Sequence, residues 1–192
     1  KSTFLMQQET QWLIQALEKA HYKKVSIDEL NSTKCLNSYL VKLDKQKLFF
    51  TQQEVNNFYI NYSPTLKTLF KQGNLLPGFE IYNSYRTNTI KRLSWALNWL
   101  EKDLKFDGNL SYNTNRNEKK WDTSEDQLIS SWKSLVKHEV LSDIVSNIDA
   151  NTSDVSINSN EILNVVRESK ERVKKRYERW IKNIKEFEST DV

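Results

Sequence analysis

The longest hydrophobic pattern in the chain predicts a central helix at about residues 78–104. Apolar side chains recur there at steps of three, four or their multiples, which places them on one face of a helix that repeats every ~3.6 residues. These side chains are Phe79, Tyr82, Ile90, Leu93, Leu97, Leu100 and Leu104. Tyr85, Trp95, Ala96 and Trp99 widen the stripe. Since a helix that is apolar on most of its circumference is usually buried among other helices, we expect a multi-helix domain around it.

Shorter amphipathic segments before the central helix predict further helices. The first runs from Phe4 to Ala20, and another begins at Ser32 or Thr33 and continues through Leu43. Residues 26–29 and 51–54 both match a capping box, in which a hydroxyl and a glutamate each accept a backbone N–H. The Ser-Pro pair at 63–64 predicts the start of one more helix, which closes at Gly73.

The second half of the chain predicts two helices separated by polar stretches. Residues 109–120 lack any period and are expected to form an ordered loop, with Tyr112 and Trp121 packed against the central helix. N-cap formers at 122–124 then precede a helix with one apolar face that extends to about Ile144. Residues 146–160 are the most disorder-prone stretch, and a long C-terminal helix follows at about 160–187. The predicted fold class is all-α, an irregular multi-helix domain.

Composition agrees with this fold class and limits the domain count. The 192 residues include only three Gly and two Pro, which favours long helices over a many-stranded β fold. One domain over residues 1–192 is the expectation, and two packed halves, 1–73 and 74–192, remain open. No apolar run is long enough to span a membrane. No signal peptide opens the sequence, although one upstream of Lys1 could have been removed.

The sequence contains no arrangement that indicates catalysis, a cofactor site or a metal site. It has no nucleophile elbow, P-loop, dinucleotide fingerprint or H-E-x-x-H motif. His21 and His138 have no Cys, Asp or Glu around them at metal-ligand spacing. Cys35 is the single cysteine, and we expect a free thiol packed near Tyr39 and Leu40.

The basic side of the C-terminal helix is the one candidate docking face. It is formed by Lys170, Lys174, Arg176, Arg179 and Lys182. Glutamates lie among these cations at i,i+3 and i,i+4 spacing, which is typical of a solvated helix face. A solvated face is therefore the first interpretation and a protein-docking face the second. Nucleic acid is not an expected partner, because the formal charge of the chain is only +4; steeply salt-dependent binding would indicate otherwise.

Four blocks of residues carry a resemblance through their order and spacing. The first block is Leu43-Asp44 with residues 48–50 and 53–58. The second is residues 79–82 with Arg92, Leu97 and residues 100–102. The third is residues 106–109 with Tyr112-Asn113, Arg116 and Trp121. The fourth is 128–132 with Lys137, Arg176-Tyr177 and 189–192. From about Leu13 to Val192, this order resembles the N-terminal helical region of the tail-specific (carboxy-terminal processing) proteases of Gram-negative bacteria. The polar loop at 146–160 is longer than the family pattern.

The resemblance implies a periplasmic serine peptidase in which this region precedes a PDZ-bearing catalytic part with a Ser/Lys dyad. No catalytic residue of the family falls within this sequence. The region would be a non-catalytic scaffold and docking domain, part of a bowl-shaped assembly that offers a surface to an outer-membrane lipoprotein adaptor. The parent enzymes degrade protein substrates recognised by apolar C-termini. The alternative is a stand-alone helical protein-interaction module, which would need a reading frame that stops just after Val192.

Overall fold

The chain is helical in most of the segments that the structure describes. A computed structural model describes residues 4–20, 26–102, 104–106, 112–151 and 159–186. Within these ranges lie seven α-helices, a 3-10 turn at Ile27–Glu29 and no strand. The helices are α1 (Phe4–Ala20), α2 (Ser32–Leu43), α3 (Gln52–Tyr62), α4 (Leu66–Lys71), α5 (Leu76–Leu100), α6 (Glu125–Asn151) and α7 (Ser159–Glu186). The predicted all-α class is confirmed.

These helices build two compact units. The first unit comprises residues up to Arg86 together with 116–124, and the second comprises 87–115 and the residues from Glu125 onward. The division therefore lies inside α5, whereas the sequence left open a division at residue 73. That residues 1–192 act as a single domain stays a prediction.

The core of the first unit is a cluster of apolar side chains from α2, α3, α4, α5 and the segment 116–124. Its buried members are Leu36, Leu40, Phe50, Val55, Leu66, Ile81 and Trp121. Around it the rings of Phe50 and Phe58 meet edge to face with centroids 5.5 Å apart. Such geometry is favourable because the electron-rich face of one ring meets the electropositive edge of the other.

The second unit buries the later part of α5 together with α6 and α7. On α6 the buried side chains fall at every fourth position, which is one face of a helix: Leu128, Trp132, Val136 and Val140. Tyr177 of α7 meets Trp132 edge to face at 6.3 Å between centroids. The ring of Tyr112 stacks on that of His138 of α6 at 5.1 Å between centroids, and both residues are half-buried.

Two predicted capping boxes have different outcomes. At α3, the Thr51 hydroxyl accepts the N–H of Glu54 and the Glu54 carboxylate accepts the N–H of Thr51, so this box is confirmed. The box at 26–29 does not form as predicted. The Ser26 hydroxyl does cap the turn, but it accepts the N–H of Asp28, two residues on instead of three. The carboxylate that accepts a backbone N–H here is that of Glu18 in α1, which binds the N–H of Ile27 at 2.7 Å. Glu18 also accepts the Ser26 hydroxyl, so this turn is closed by tertiary contact and extends for only three residues.

Several predicted boundaries shift in the structure. The Ser63-Pro64 pair lies in a turn, and α4 begins at Leu66 instead. The central helix ends at Leu100, four residues before the predicted end near 104. The disorder prediction for 146–160 is wrong for its first residues, because α6 continues to Asn151. Residues 152–158, the Asp107-Gly108 turn and Phe187 lie outside the described residues.

Gly73 ends α4 in a conformation that favours glycine. Its φ is 68°, in the left-handed region that side chains with a Cβ rarely adopt. A Cβ there would also overlap the backbone carbonyl of Gln7 in α1. The glycine therefore permits both the end of α4 and the close packing of α1 on α4.

Candidate docking surface

Two of the predicted docking residues are tied to the chain just after α5. The Lys170 ammonium donates to the backbone carbonyl of Lys102 at 2.9 Å, and Lys174 pairs with Glu101 at 2.5 Å. The Lys174 hydrogen bond lowers the pKa of Glu101, and the pKa of Lys174 is raised in turn. Cations are favourable at this place because the last carbonyls of a helix carry partial negative charge. These two lysines therefore hold α7 to the end of α5.

Arg176 belongs to a charged network between α6 and α7. Its guanidinium lies 3.3 Å from both Asp143 and Glu139, which are four residues apart on one face of α6. Arg172, one turn earlier on α7, donates to the same Asp143 at 2.8 Å. The Asp143 side chain is only 10% exposed, so its charge is balanced by two arginines in a partly desolvated site.

Arg179 and Lys182 lie on the exposed side of α7. Arg179 donates to the backbone carbonyl of Lys175, and Lys182 lies 3.6 Å from Glu186 in an i,i+4 pair. Such exposed pairs on one helix contribute little to stability. Of the five predicted residues, Lys170, Lys174 and Arg176 thus contact other parts of the second unit. Arg179 and Lys182 make the contacts described here within α7. That this face docks a protein stays a prediction.

A groove of 620 Å³ runs beside Lys182, between α5 and the last turns of α7. Its apolar wall includes the half-buried Leu97 and Ile181. Its rim carries charges of both signs, from Glu178, Lys182, Lys185 and Glu186. The sequence assigned Leu97 to the buried stripe of the central helix. The groove was missed because helical periodicity places a residue on a face without showing whether another helix covers it.

The first and third blocks of the resemblance meet in the first unit, at the Asp44 turn, which we define as residues 44–50. The Asp44 carboxylate is fully buried and accepts the N–H groups of Leu48, Phe49 and Phe50 at 2.8–3.1 Å. A fourth donor is the indole Nε1 of Trp121, at 3.1 Å. Burial raises the pKa of Asp44, and the four hydrogen bonds act in the opposite direction.

Arg116 and Lys47 make further contacts at the Asp44 turn that do not involve the Asp44 carboxylate. Arg116 Nε donates to the Gln46 carbonyl at 2.8 Å, and its guanidinium lies 3.6 Å from the buried Asp122. Lys47 has a φ of 52°, and its ammonium lies 5.4 Å from the Trp121 ring centroid, within cation–π range. Because the carboxylate and the guanidinium are buried and hydrogen-bonded, the arrangement fixes a chain reversal and has the features of a structural site.

The described residues offer neither a metal site nor a helix that could cross a membrane. No three His, Cys, Asp or Glu side chains come together there in an arrangement that could hold a metal ion. No described helix combines the length and apolarity that crossing a bilayer requires.

Comparison with known proteins gives two findings. Residues 13–192 match the family model described as the tail specific protease N-terminal domain. A curated relative, the tail-specific protease of Haemophilus influenzae, is 25% identical over 125 residues. That alignment covers 65% of this chain and 18% of the relative, so the chain spans less than a fifth of the curated protein that it matches.

Proposed function

The chain belongs to the tail-specific protease N-terminal domain family, and from this we propose that it is a non-catalytic scaffold and docking domain. The parent protein would be a periplasmic serine endopeptidase that degrades proteins recognised by their C-termini. The observation that carries the proposal is the family match across residues 13–192, with an alignment that covers only 18% of the curated protease. By the resemblance, the Ser/Lys dyad and the PDZ part belong to the remainder of the parent.

The scaffold role is supported by contacts that join distant parts of the sequence inside each unit. In the first unit, Trp121 and Arg116 bind the Asp44 turn from about 70 residues away or more. In the second unit, Arg92 forms a bidentate ion pair with Glu125, in which its two terminal nitrogens donate to the two carboxylate oxygens at 2.5 and 2.6 Å. Paired hydrogen bonds of this kind restrict orientation as well as distance. Such links suit a domain that presents a surface of constant shape.

The docking role is supported by the groove beside Lys182 and by the outward-facing cations of α7. Protein interfaces combine an apolar centre with a polar rim. Leu97 and Ile181 reproduce this arrangement on a small scale with a rim of two lysines and two glutamates. Trp180, on the same helix, is 39% exposed, and Trp is a frequent anchor residue in interfaces. The partner that fits is a protein with an apolar anchor and an acidic rim opposite the outward-facing Arg179 and Lys182. By the resemblance it is an outer-membrane lipoprotein adaptor.

The test measures the affinity of the purified domain for the purified adaptor by calorimetry. The double variant Arg179→Glu/Lys182→Glu should weaken binding at least about tenfold, because like charges would then face the acidic rim. The matched control is Lys34→Glu/Lys42→Glu on the exposed side of α2, which changes the net charge equally and should leave the affinity unchanged. Equal affinities for all three proteins would refute docking through this face.

A further inference from the structure

A second concave site lies in the first unit and shares no lining residue with the groove. It is a pocket of 380 Å³ between α2, α4 and the first turns of α5. Its apolar walls include Leu36, Leu66, Phe70, Leu75, Phe79 and Ile81. The volume falls within the range of small-molecule sites, about 300–1,000 Å³. It is more than twice that of an apolar cavity of about 150 Å³ known to bind benzene.

The lining restricts the chemistry of a ligand. No lining side chain carries a charge, and burial raises the pKa of the Cys35 thiol, which keeps it neutral. The Tyr39 hydroxyl is already engaged, since it donates to the Gly78 carbonyl at 3.1 Å. A peptide backbone placed inside would lose its hydrogen bonds to water, and the walls offer few polar groups to replace them. A hydrocarbon chain has no such bonds to lose.

Gly78 keeps part of this space open. It is the third residue of α5, and glycine is a less favourable helix residue than alanine. Its φ is outside the left-handed region, and a Cβ added there would meet no atom within 4 Å. Neither backbone conformation nor crowding therefore requires a glycine at this position. The absence of a side chain at Gly78 leaves space at the pocket wall.

We propose that this pocket binds the hydrocarbon chain of a single-chain lipid, with the headgroup of the lipid outside in the solvent. The contacts that carry the proposal are the uncharged walls, the engaged Tyr39 hydroxyl and the space at Gly78. The site is independent of the docking role, because no residue of the groove beside Lys182 lines it.

Cys35 offers a direct reporter, because it lines the pocket and is the single cysteine of the chain. The experiment measures the rate of Cys35 modification by a maleimide in the presence of straight-chain alcohols from hexan-1-ol to dodecan-1-ol, below their solubility limits. Bound alcohol should slow the reaction. The concentration required should fall about fourfold for each added methylene, as expected for burial of about 0.8 kcal/mol per CH₂. Unchanged modification rates throughout the series would overturn the proposal.

Substitution at Gly78 shows where the alcohol binds. Gly78→Trp should fill the space and abolish the protection of Cys35, whereas the matched control Gly78→Ala should retain it. Circular dichroism and urea unfolding verify that both variants fold. If Gly78→Trp is unfolded, Cys35→Phe narrows the pocket from α2, and calorimetry should then detect no dodecan-1-ol binding. Retained binding in a folded pocket-filling variant would contradict the proposal.

Two further ligands test which class of lipid supplies the hydrocarbon chain. Protection by both dodecanoate and the dodecanoyl lysophospholipid supports a site that accepts lipids irrespective of headgroup. Protection by dodecanoate alone supports a free fatty acid site. An uncharged apolar pentapeptide should give no protection. If the peptide protects Cys35 while the alcohols do not, the pocket binds peptide side chains and the lipid proposal is wrong.

Discussion

The indole of Trp121 donates a hydrogen bond of 3.1 Å to the carboxylate of Asp44, which lies 77 residues earlier in the sequence. The same carboxylate accepts three consecutive backbone N–H groups of the Asp44 turn. One buried acidic side chain therefore organises the chain reversal after α2 and attaches the segment 116–124 to it.

Replacement of Trp121 should be costly for this reason. Trp121→Ala should lower the free energy of unfolding by about 3–5 kcal/mol, since a buried aromatic ring is lost and a cavity remains. Urea denaturation gives the value. The matched control is Trp12→Ala in α1, where the side chain is 71% exposed and the loss should stay below about 1 kcal/mol. Similar losses for the two variants would mean that Trp121 is not anchored in the core.

The Asp44 carboxylate should contribute to stability through its hydrogen bonds and not only through the space that it fills. Asp44→Asn preserves the shape but removes an acceptor oxygen, so at least one buried donor loses its partner, at about 1–3 kcal/mol. Urea denaturation of Asp28→Asn provides the control, because the Asp28–Lys71 pair is exposed and worth at most about 1 kcal/mol. A loss no larger than that of the control would contradict the role assigned to Asp44.

The Arg92–Glu125 pair predicts a dependence of stability on pH. The hydrogen bond from Arg92 lowers the pKa of Glu125 from 4.5 to about 2. A carboxylate with a lowered folded pKa contributes stability above its unfolded pKa, and that contribution is lost as the pH falls from 4.5 to 2. The free energy of unfolding of the protein should therefore decrease in this window more steeply than that of Glu125→Gln. Parallel curves from pH 5 to pH 2 would exclude a linkage through this pair.

Two glycines offer a matched test of backbone conformation. Gly73→Ala should destabilise the protein by more than about 1 kcal/mol, because the positive φ is strained for alanine and the Cβ overlaps Gln7. Gly78→Ala should stabilise it by about 0.5–1 kcal/mol, because the position is helical and the Cβ is unobstructed. Thermal and urea denaturation compare the two. A Gly73→Ala variant as stable as the unchanged protein would contradict the close approach of α1 to α4, and a destabilised Gly78→Ala would contradict the open space at that position.

The proposed scaffold role predicts that removal of this domain from the parent protease impairs some of its activities and preserves others. Deletion of residues 1–192 should preserve cleavage of a short peptide with an apolar C-terminus, because by the resemblance the dyad lies outside this domain. The same deletion should impair adaptor binding and degradation of a folded envelope protein. Equal loss on both substrates would indicate a requirement for folding of the catalytic part. Unchanged activity on both, with adaptor binding intact, would remove the scaffold interpretation.

The sequence by itself determined the elements that depend on neighbours within a few residues. The bounds of α1 and α2 and the Thr51–Glu54 capping box follow from helical periodicity and from a hydroxyl and a carboxylate three positions apart. The family could also be identified from the sequence, because the order of its blocks is a property of the chain and requires no coordinates.

Only the tertiary structure decided which distant groups satisfy one another. Local rules selected Glu29 to close the turn at 26–29, but Glu18 of α1 accepts the Ser26 hydroxyl and the Ile27 N–H. The pattern assigned the cations of α7 to one surface, yet Arg176 pairs with Asp143 and Glu139 of α6, whereas Lys182 pairs with Glu186 of its own helix. The physical reason is that a buried charge requires a partner whatever its sequence separation, and packing determines which partner is within reach.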